Sequence, residues 1–324
     1  MTFVPTPFAT PIVLPSAAAG DAFRRIGYIS VSEYRFAPTA VPTNSLVPTA
    51  PNDAAASTSA LAQVIMRASA WVDEHCFHRA DGTLAASVST EARWVKVKPD
   101  GSIAFICNFR PVIEVVGMGV GPGPAQVQNI SQVTADTIAI RGKVLQLPGV
   151  SSHGPRPFFG TWPSVTGEVY VVTQYVSGFP HMALGANALA GATSITVVPA
   201  VTAPFPSGVY AGTRLTIRDG TKTETIQVAV TPTGNVLTLA HPLRYAHTLP
   251  APPDSIMVSA VPWQIEQATI SLTSVLIKAQ GDRSMTLNSV GRPPTRVAAS
   301  RSGAAEDFDN AMRLLKSFVV AFLN

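Results

Sequence analysis

The chain has 324 residues, of which 46% are hydrophobic and only 13% charged, with a formal net charge of +4 at pH 7. That length holds one large domain or two ordinary ones with ample apolar material for a core, and two is the expectation. So small a charge excess, with no run of five basic residues, argues against a dedicated nucleic-acid binder, while 28 Pro and 23 Gly point to β-rich and loop-rich structure. Sparse charge also suits a surface largely covered by neighbours, because buried interfaces are depleted of charged residues. Cys76 and Cys107 make no CxxC and no disulfide framework, so both are expected as buried thiols in a reducing compartment. The first 23 residues lack Lys and Arg, and with them the basic start of a signal peptide. No apolar run is long enough to span a bilayer, and a protein made and used in the cytoplasm is expected.

Residues 1–26 carry Pro5, Pro7, Pro11 and Pro15 and then Ala17-Ala18-Ala19-Gly20, a composition that resists helix and sheet interiors and reads as an extended arm. Pro38 to Pro51 has the same character. Between them Tyr28 to Phe36 contains Ser30 and Ser32, either of which suits the cap of a single helical turn. After Asn52-Asp53, the residues Leu61, Val64, Ile65, Ala68 and Val72 fall on one helical face, and the helix is expected to end near Cys76 to His78. Arg93 to Lys98, the Pro99-Asp100-Gly101 turn and Ile103 to Cys107 read as a β-hairpin. Further strands are expected at Val112 to Met118, Val144 to Leu147 and Val169 to Val176.

Residues 183–258 differ in texture, with Thr-, Val- and Ile-rich alternation at Thr193 to Val198, Arg214 to Arg218, Thr223 to Val230 and Val236 to Leu239. They read as an inserted all-β module, or else as a meander of one continuous sheet system. Helical periodicity returns after Pro262, where Ile265, Ala268, Leu272, Val275, Leu276 and Ala279 form one stripe; Ile270 and Ile277 lie off it, which predicts burial on two sides. A basic loop, Asp282 to Ser302, leads to a last helix. Glu306, Asp307 and Asp309 at its start and Arg313 and Lys316 further on complement the helix dipole, and Phe308, Met312, Leu315, Val319 and Phe322 form its apolar stripe. The fold class is α+β. Residues 27–182 and 259–324 make a helical and β core with the C-terminal helix, and 183–258 is inserted in it.

The residues offer no set with matched acid, base and nucleophile roles. Gly117-x-Gly119-x-Gly121 resembles a dinucleotide fingerprint only superficially, since Pro122 and Pro124 stand where the phosphate-binding helix would begin, and a flexible turn is expected there. His75-Cys76-x-His78 is the densest group of metal-ligand types among His75, His78, His153, His181, His241 and His247, but it lacks a second pair. Asp73 and Glu74 are adjacent on a helix and point apart. No G-x-S-x-G elbow occurs. Trp71, Trp94, Trp162 and Trp263 read as core or interface anchors. No catalytic residue, metal or cofactor is expected.

The order of segments is more telling than any one of them. Tyr28-Ile29-Ser30-Val31-Ser32-Glu33-Tyr34, a long helix ending Ala68-Ser69-Ala70-Trp71-Val72-Asp73-Glu74-His75-Cys76, then Arg110-Pro111-Val112-Ile113-Glu114-Val115-Val116, then Gly167 to Gly178, and finally Val261-Pro262-Trp263-Gln264-Ile265-Glu266-Gln267-Ala268 together resemble the head-tail connector (adaptor) family of long-tailed double-stranded-DNA phages. The resemblance covers about 27–182 and 259–281. The 183–258 stretch is similar to small β modules of virion proteins.

That resemblance implies a structural virion protein of the phage neck: a homo-oligomeric ring, usually a dodecamer, stacked under the portal protein, in contact with stopper or tail-completion proteins, with DNA passing through its channel unread. By analogy the portal contact falls to Phe308, Met312, Leu315, Val319 and Phe322 and to Arg283, Arg292, Arg296 and Arg301. The alternatives are a stopper or tail-tube subunit, against which the early helix argues, and a β-rich module binding a host surface.

Overall fold

The computed structural model describes residues 26–43, 46–47, 52–77, 83–98, 102–129, 139–141, 144–147, 168–199, 208–279 and 303–319. The expected arm and basic loop lie outside them, apart from Ile26 of the arm. The protein is α+β, as expected. The described residues pack as two compact units. One is 87–178, and the other joins the segments before and after it.

In the first unit β7 (Glu168–Ser177) is the organising strand. Its sequence alternates so that Val169, Val171, Thr173 and Tyr175 are buried while Tyr170, Val172 and Gln174 are half-buried. It pairs antiparallel with β1 (Ser87–Lys96) on one side and β3 (Val112–Gly121) on the other, and β3 with the short β4 (Gln128–Asn129). A second sheet orders β2 (Ile103–Ile106), β6 (Val144–Leu147) and β5 (Ala139–Arg141). Ile103, Phe105 and Leu145 from this sheet and Val120, Val171 and Tyr175 from the other belong to one core.

Two expectations are corrected here. The predicted hairpin between Arg93 and Cys107 reduces to a single bridge, Val97 to Ile103, closed by the Lys98 N–H donating to Ser102 O at 2.9 Å. Beyond it the strands part, β1 to β7 and β2 to β6, because the longer ladders satisfy more backbone groups. Gly117, Gly119 and Gly121 form no turn either. They lie in β3 opposite Gln174, Val172 and Tyr170, next to a register shift at Val115/Gly117 of the kind that glycine accommodates.

The second unit holds a six-stranded antiparallel sheet in the order β11-β10-β13-β8-β9-β12, formed by Glu224–Gln227, Arg214–Arg218, Met257–Ser259, His181–Leu184, Ser194–Pro199 and Val236–Thr238. Ile195, Val197, Leu215, Ile217, Ile226 and Leu237 fill its core. Strands β8 and β13, which bracket the expected 183–258 module, are the two central strands of this sheet. The stretch thus shares a compact unit with the helices, and the segment that separates from them is 87–178.

The helices are α1 (Val31–Phe36), α2 (Ala54–Phe77), α3 (Trp263–Ala279) and α4 (Ala304–Leu315). Ser30 caps α1 in a capping box: its hydroxyl accepts from the Glu33 N–H and the Glu33 carboxylate accepts from the Ser30 N–H. Leu61, Ile65, Ala68 and Val72 form the buried face of α2 as the periodicity predicts. Helix α3 packs against α2 and against α4, which is why Ile277 is buried along with Ile265, Leu272 and Val275. Gly27 fits because a Cβ there would lie 2.6 Å from Ile65 Cγ2. No described helix is long and apolar enough to cross a membrane.

Candidate functional site

The C-terminal helix is where the resemblance places a partner, and the structure shows what already holds it. Phe308 meets Trp71 of α2 edge-on, with ring centroids 5.5 Å apart, and Ala304, Ala311 and Leu315 are fully buried. Lys278 at the end of α3 donates to Asp307 at 2.7 Å. Phe318, just past α4, meets Phe179 edge-on at 6.2 Å. Phe308 and Leu315 are therefore core residues of their own unit, which corrects the expectation that the whole stripe faces a partner. Met312 and Val319 are half-buried, and the exposed side of the segment is polar, with Asp309, Arg313 and Lys316. Phe322, Arg283, Arg292, Arg296 and Arg301 lie outside the described residues.

The main charge cluster is one that the sequence reading missed. Arg218, the last residue of β10, pairs with Glu266 of α3, lies 3.8 Å from Glu33 of α1, and donates to Val261 O at 3.4 Å. All three charged side chains are mostly covered, at 12–16% exposure. Glu266 Oε1 and Arg218 Nε find no hydrogen-bond partner among the described residues. Burial pushes the Glu33 carboxyl above its ordinary range, against the opposing pull of the Ser30 N–H and Arg218. Burial likewise lowers the Arg218 guanidinium, against Glu33. Next to this cluster Asp254 accepts from the N–H groups of Val31 at 3.0 Å and Ser32 at 3.4 Å, and from the Ser32 hydroxyl. A carboxylate at the first turn of α1 suits the positive end of that helix.

A second cluster fixes the edge of the six-stranded sheet. His247 is fully buried, with Nδ1 3.0 Å from Asp219 and Nε2 2.8 Å from Glu224. Two carboxylates from different segments thus face the two ring nitrogens of one buried imidazole. Glu224 also accepts from the N–H groups of Arg244 and Tyr245, at 2.9 and 3.1 Å. Burial pulls its carboxyl up, but the Arg244 N–H, the His247 ring and the Tyr245 N–H outweigh this and hold it below the usual carboxylate range.

In the first unit Glu91 of β1 accepts from the Tyr175 hydroxyl, from Arg93 and from the Asn108 N–H. Burial, followed by the Glu91 charge, pushes the Cys107 thiol up to about 12 and raises the Tyr175 phenol as well. Cys107 is thus a neutral thiol at physiological pH, unsuited to act as a thiolate nucleophile. Cys76 is likewise buried and in no disulfide. Of the histidines read from the sequence, His75 stacks on Trp71 at 5.1 Å, and His181 bridges Ser259 Oγ and Gly27 O at 2.9 and 2.8 Å. Among the described residues no three His, Cys, Asp or Glu side chains are grouped to hold a metal ion. An open groove of about 560 Å³ lies beside α2, and Arg67 is the one ionisable residue among those described as lining it. These arrangements join elements and hold charge in place. No family model, curated protein or solved structure matches the chain.

Replacing Arg218 by Met leaves Glu266 and Glu33 without their counter-charge, and chemical denaturation should show a loss of about 3 kcal/mol or more. Adding Glu33→Gln and Glu266→Gln to that variant should restore most of it. Glu224 supplies a pH test. A carboxyl depressed in the folded state stabilises above its unfolded value of about 4.5, and that contribution is lost as pH falls through the folded value. Thermal melting followed from neutral pH to below that window should therefore show a shallower acid decline in Glu224→Gln than in the parent.

Proposed function

We propose that this chain is a structural virion protein and not an enzyme: an adaptor subunit whose ring joins the phage portal to the tail and forms part of the DNA channel at the neck. What supports the reading is the fate of the segments that resemble the head-tail connector family. Tyr28 to Tyr34, Ala68 to Cys76 and Val261 to Ala268, far apart in sequence, lie together in one helical core. Tyr34 Oη sits 2.9 Å from Ser274 Oγ of α3, and α2 packs on α3. Segments Pro111 to Val116 and Glu168 to Gly178 become paired strands of one sheet, with Val112 opposite Ser177 and Val115 opposite Tyr175. Three of the five pieces thus belong to one set of packed helices and two to one sheet. The ring is homo-oligomeric, its partners are the portal and the stopper or tail-completion proteins, and DNA passes through without sequence recognition.

In this reading α4 is anchored by Phe308 and Leu315 and offers its outer side to the portal. The double variant Arg313→Glu with Lys316→Glu should fold with a loss of only about 1–2 kcal/mol, because both positions are exposed at the C-terminal end of α4, yet bind purified portal about tenfold or more weakly. Parental affinity would remove α4 from the contact, and failure of the parent itself to bind portal would overturn the adaptor reading.

A further inference from the structure

Two large aromatic side chains stand uncovered on the two helices that bring glutamates to Arg218. Phe36 is 76% exposed and Trp263 62% exposed. Phe36 comes one turn after Glu33 in α1, and Trp263 one turn before Glu266 in α3, while both glutamates flank the same guanidinium. Gln267, one turn beyond Trp263, donates to Thr39 Oγ1 at 3.4 Å, which brings that face of α3 beside the segment following Phe36. The Phe36 ring also borders Gly220, where an added Cβ would lie 3.8 Å from it. Single exposed apolar residues are ordinary on a protein surface, but here two aromatic rings each stand one turn from a glutamate that meets the same guanidinium.

The sequence holds a segment whose chemistry fits these rings. Residues 1–20 contain no Asp, Glu, Lys or Arg, carry prolines at 5, 7, 11 and 15, and add Phe3 and Phe8. Such a composition favours the extended polyproline II form, which leaves its backbone free of internal hydrogen bonds and docks on exposed aromatic side chains. Twenty-five residues in that form reach about 78 Å, against a radius of gyration of about 20 Å for a compact chain of this length. The arm can therefore span to an adjacent subunit. Both rings stand exposed and offer apolar surface to such an arm.

We propose that Phe36 and Trp263 form the docking surface for the proline-rich N-terminal arm, residues 1–25, of a neighbouring copy of this chain. The proposal rests on the ring reading and gives that ring a strap between successive subunits. Docking an uncharged segment on an aromatic pair adds apolar burial without adding charge, which accords with the sparse charge of the whole chain.

The test uses the full chain with one cysteine in the arm, Pro7→Cys, and one beside the rings, Gln267→Cys or, in a second variant, Thr39→Cys, so that both aromatic side chains stay in place. The native cysteines are both buried and take no part in the folded protein. After mild oxidation, a ladder of covalent dimers, trimers and higher multimers on a non-reducing gel is expected from at least one pair, and from neither ring-side cysteine without Pro7→Cys. A cross-linked monomer as the sole product would place the arm on its own subunit and overturn the proposal, as would no cross-link from either pair. A ladder from protein that ignores the portal would keep the strap and discard the adaptor. Portal binding without a ladder would do the reverse.

Discussion

The second unit depends on the guanidinium of Arg218. It stands at the end of a strand in the six-stranded sheet and reaches glutamates on two helices from opposite ends of the chain, Glu33 and Glu266. Burying three charges is costly, and the attraction repays this only where the geometry is held by other contacts. Those contacts are present: Asp254 caps α1 from the loop before β13, and His181 of β8 holds Gly27 O ahead of α1. Each ties the β-rich stretch to the helices. A module attached only through its two ends would have no use for such an investment, and this is why residues 183–258 belong with the helical core.

The same constraint explains how α3 is used. It contacts α2 and α4, and even its polar residues Thr269, Thr273 and Ser274 are buried. Thr269 and Thr273 satisfy their hydroxyls by donating to the carbonyls one turn back, at 2.8 Å each, and the Ser274 hydroxyl reaches Thr39 O at 3.3 Å. With both sides of α3 occupied by α2 and α4, the polar face of α4 and the rings of Phe36 and Trp263 stay at the surface.

Much of this was legible in the sequence where the determinant is local. The stripe Leu61, Val64, Ile65, Ala68, Val72 marked α2, with Val64 only half-buried; of the off-stripe Ile270 and Ile277 the second is buried and the first half-buried; and of the two cap candidates, Ser30 and Ser32, Ser30 caps α1. Non-local pairing was not legible. The alternation in β1 and β7 marks each as a strand, but nothing in either names the other as partner across some eighty residues, and the local Pro-Asp-Gly turn argued for a hairpin that the longer ladder overrode. The glycines at 117, 119 and 121 read as a turn because glycine propensity is a local property, whereas β3 is imposed by β7. Arg218 looked like an ordinary strand end and His247 like one of six histidines, since their partners come from distant segments. The apolar stripe of α4 was visible, but which surface would cover it depended on Trp71 and α3.

The central claim is that these subunits close into a ring on the portal. Electron cryo-microscopy of the purified protein mixed with its candidate portal tests it most directly. The account predicts a ring stacked beneath the portal, with α4 toward it and each subunit's aromatic pair facing the next subunit. A protein that stays monomeric beside bare portals at micromolar concentration would contradict it.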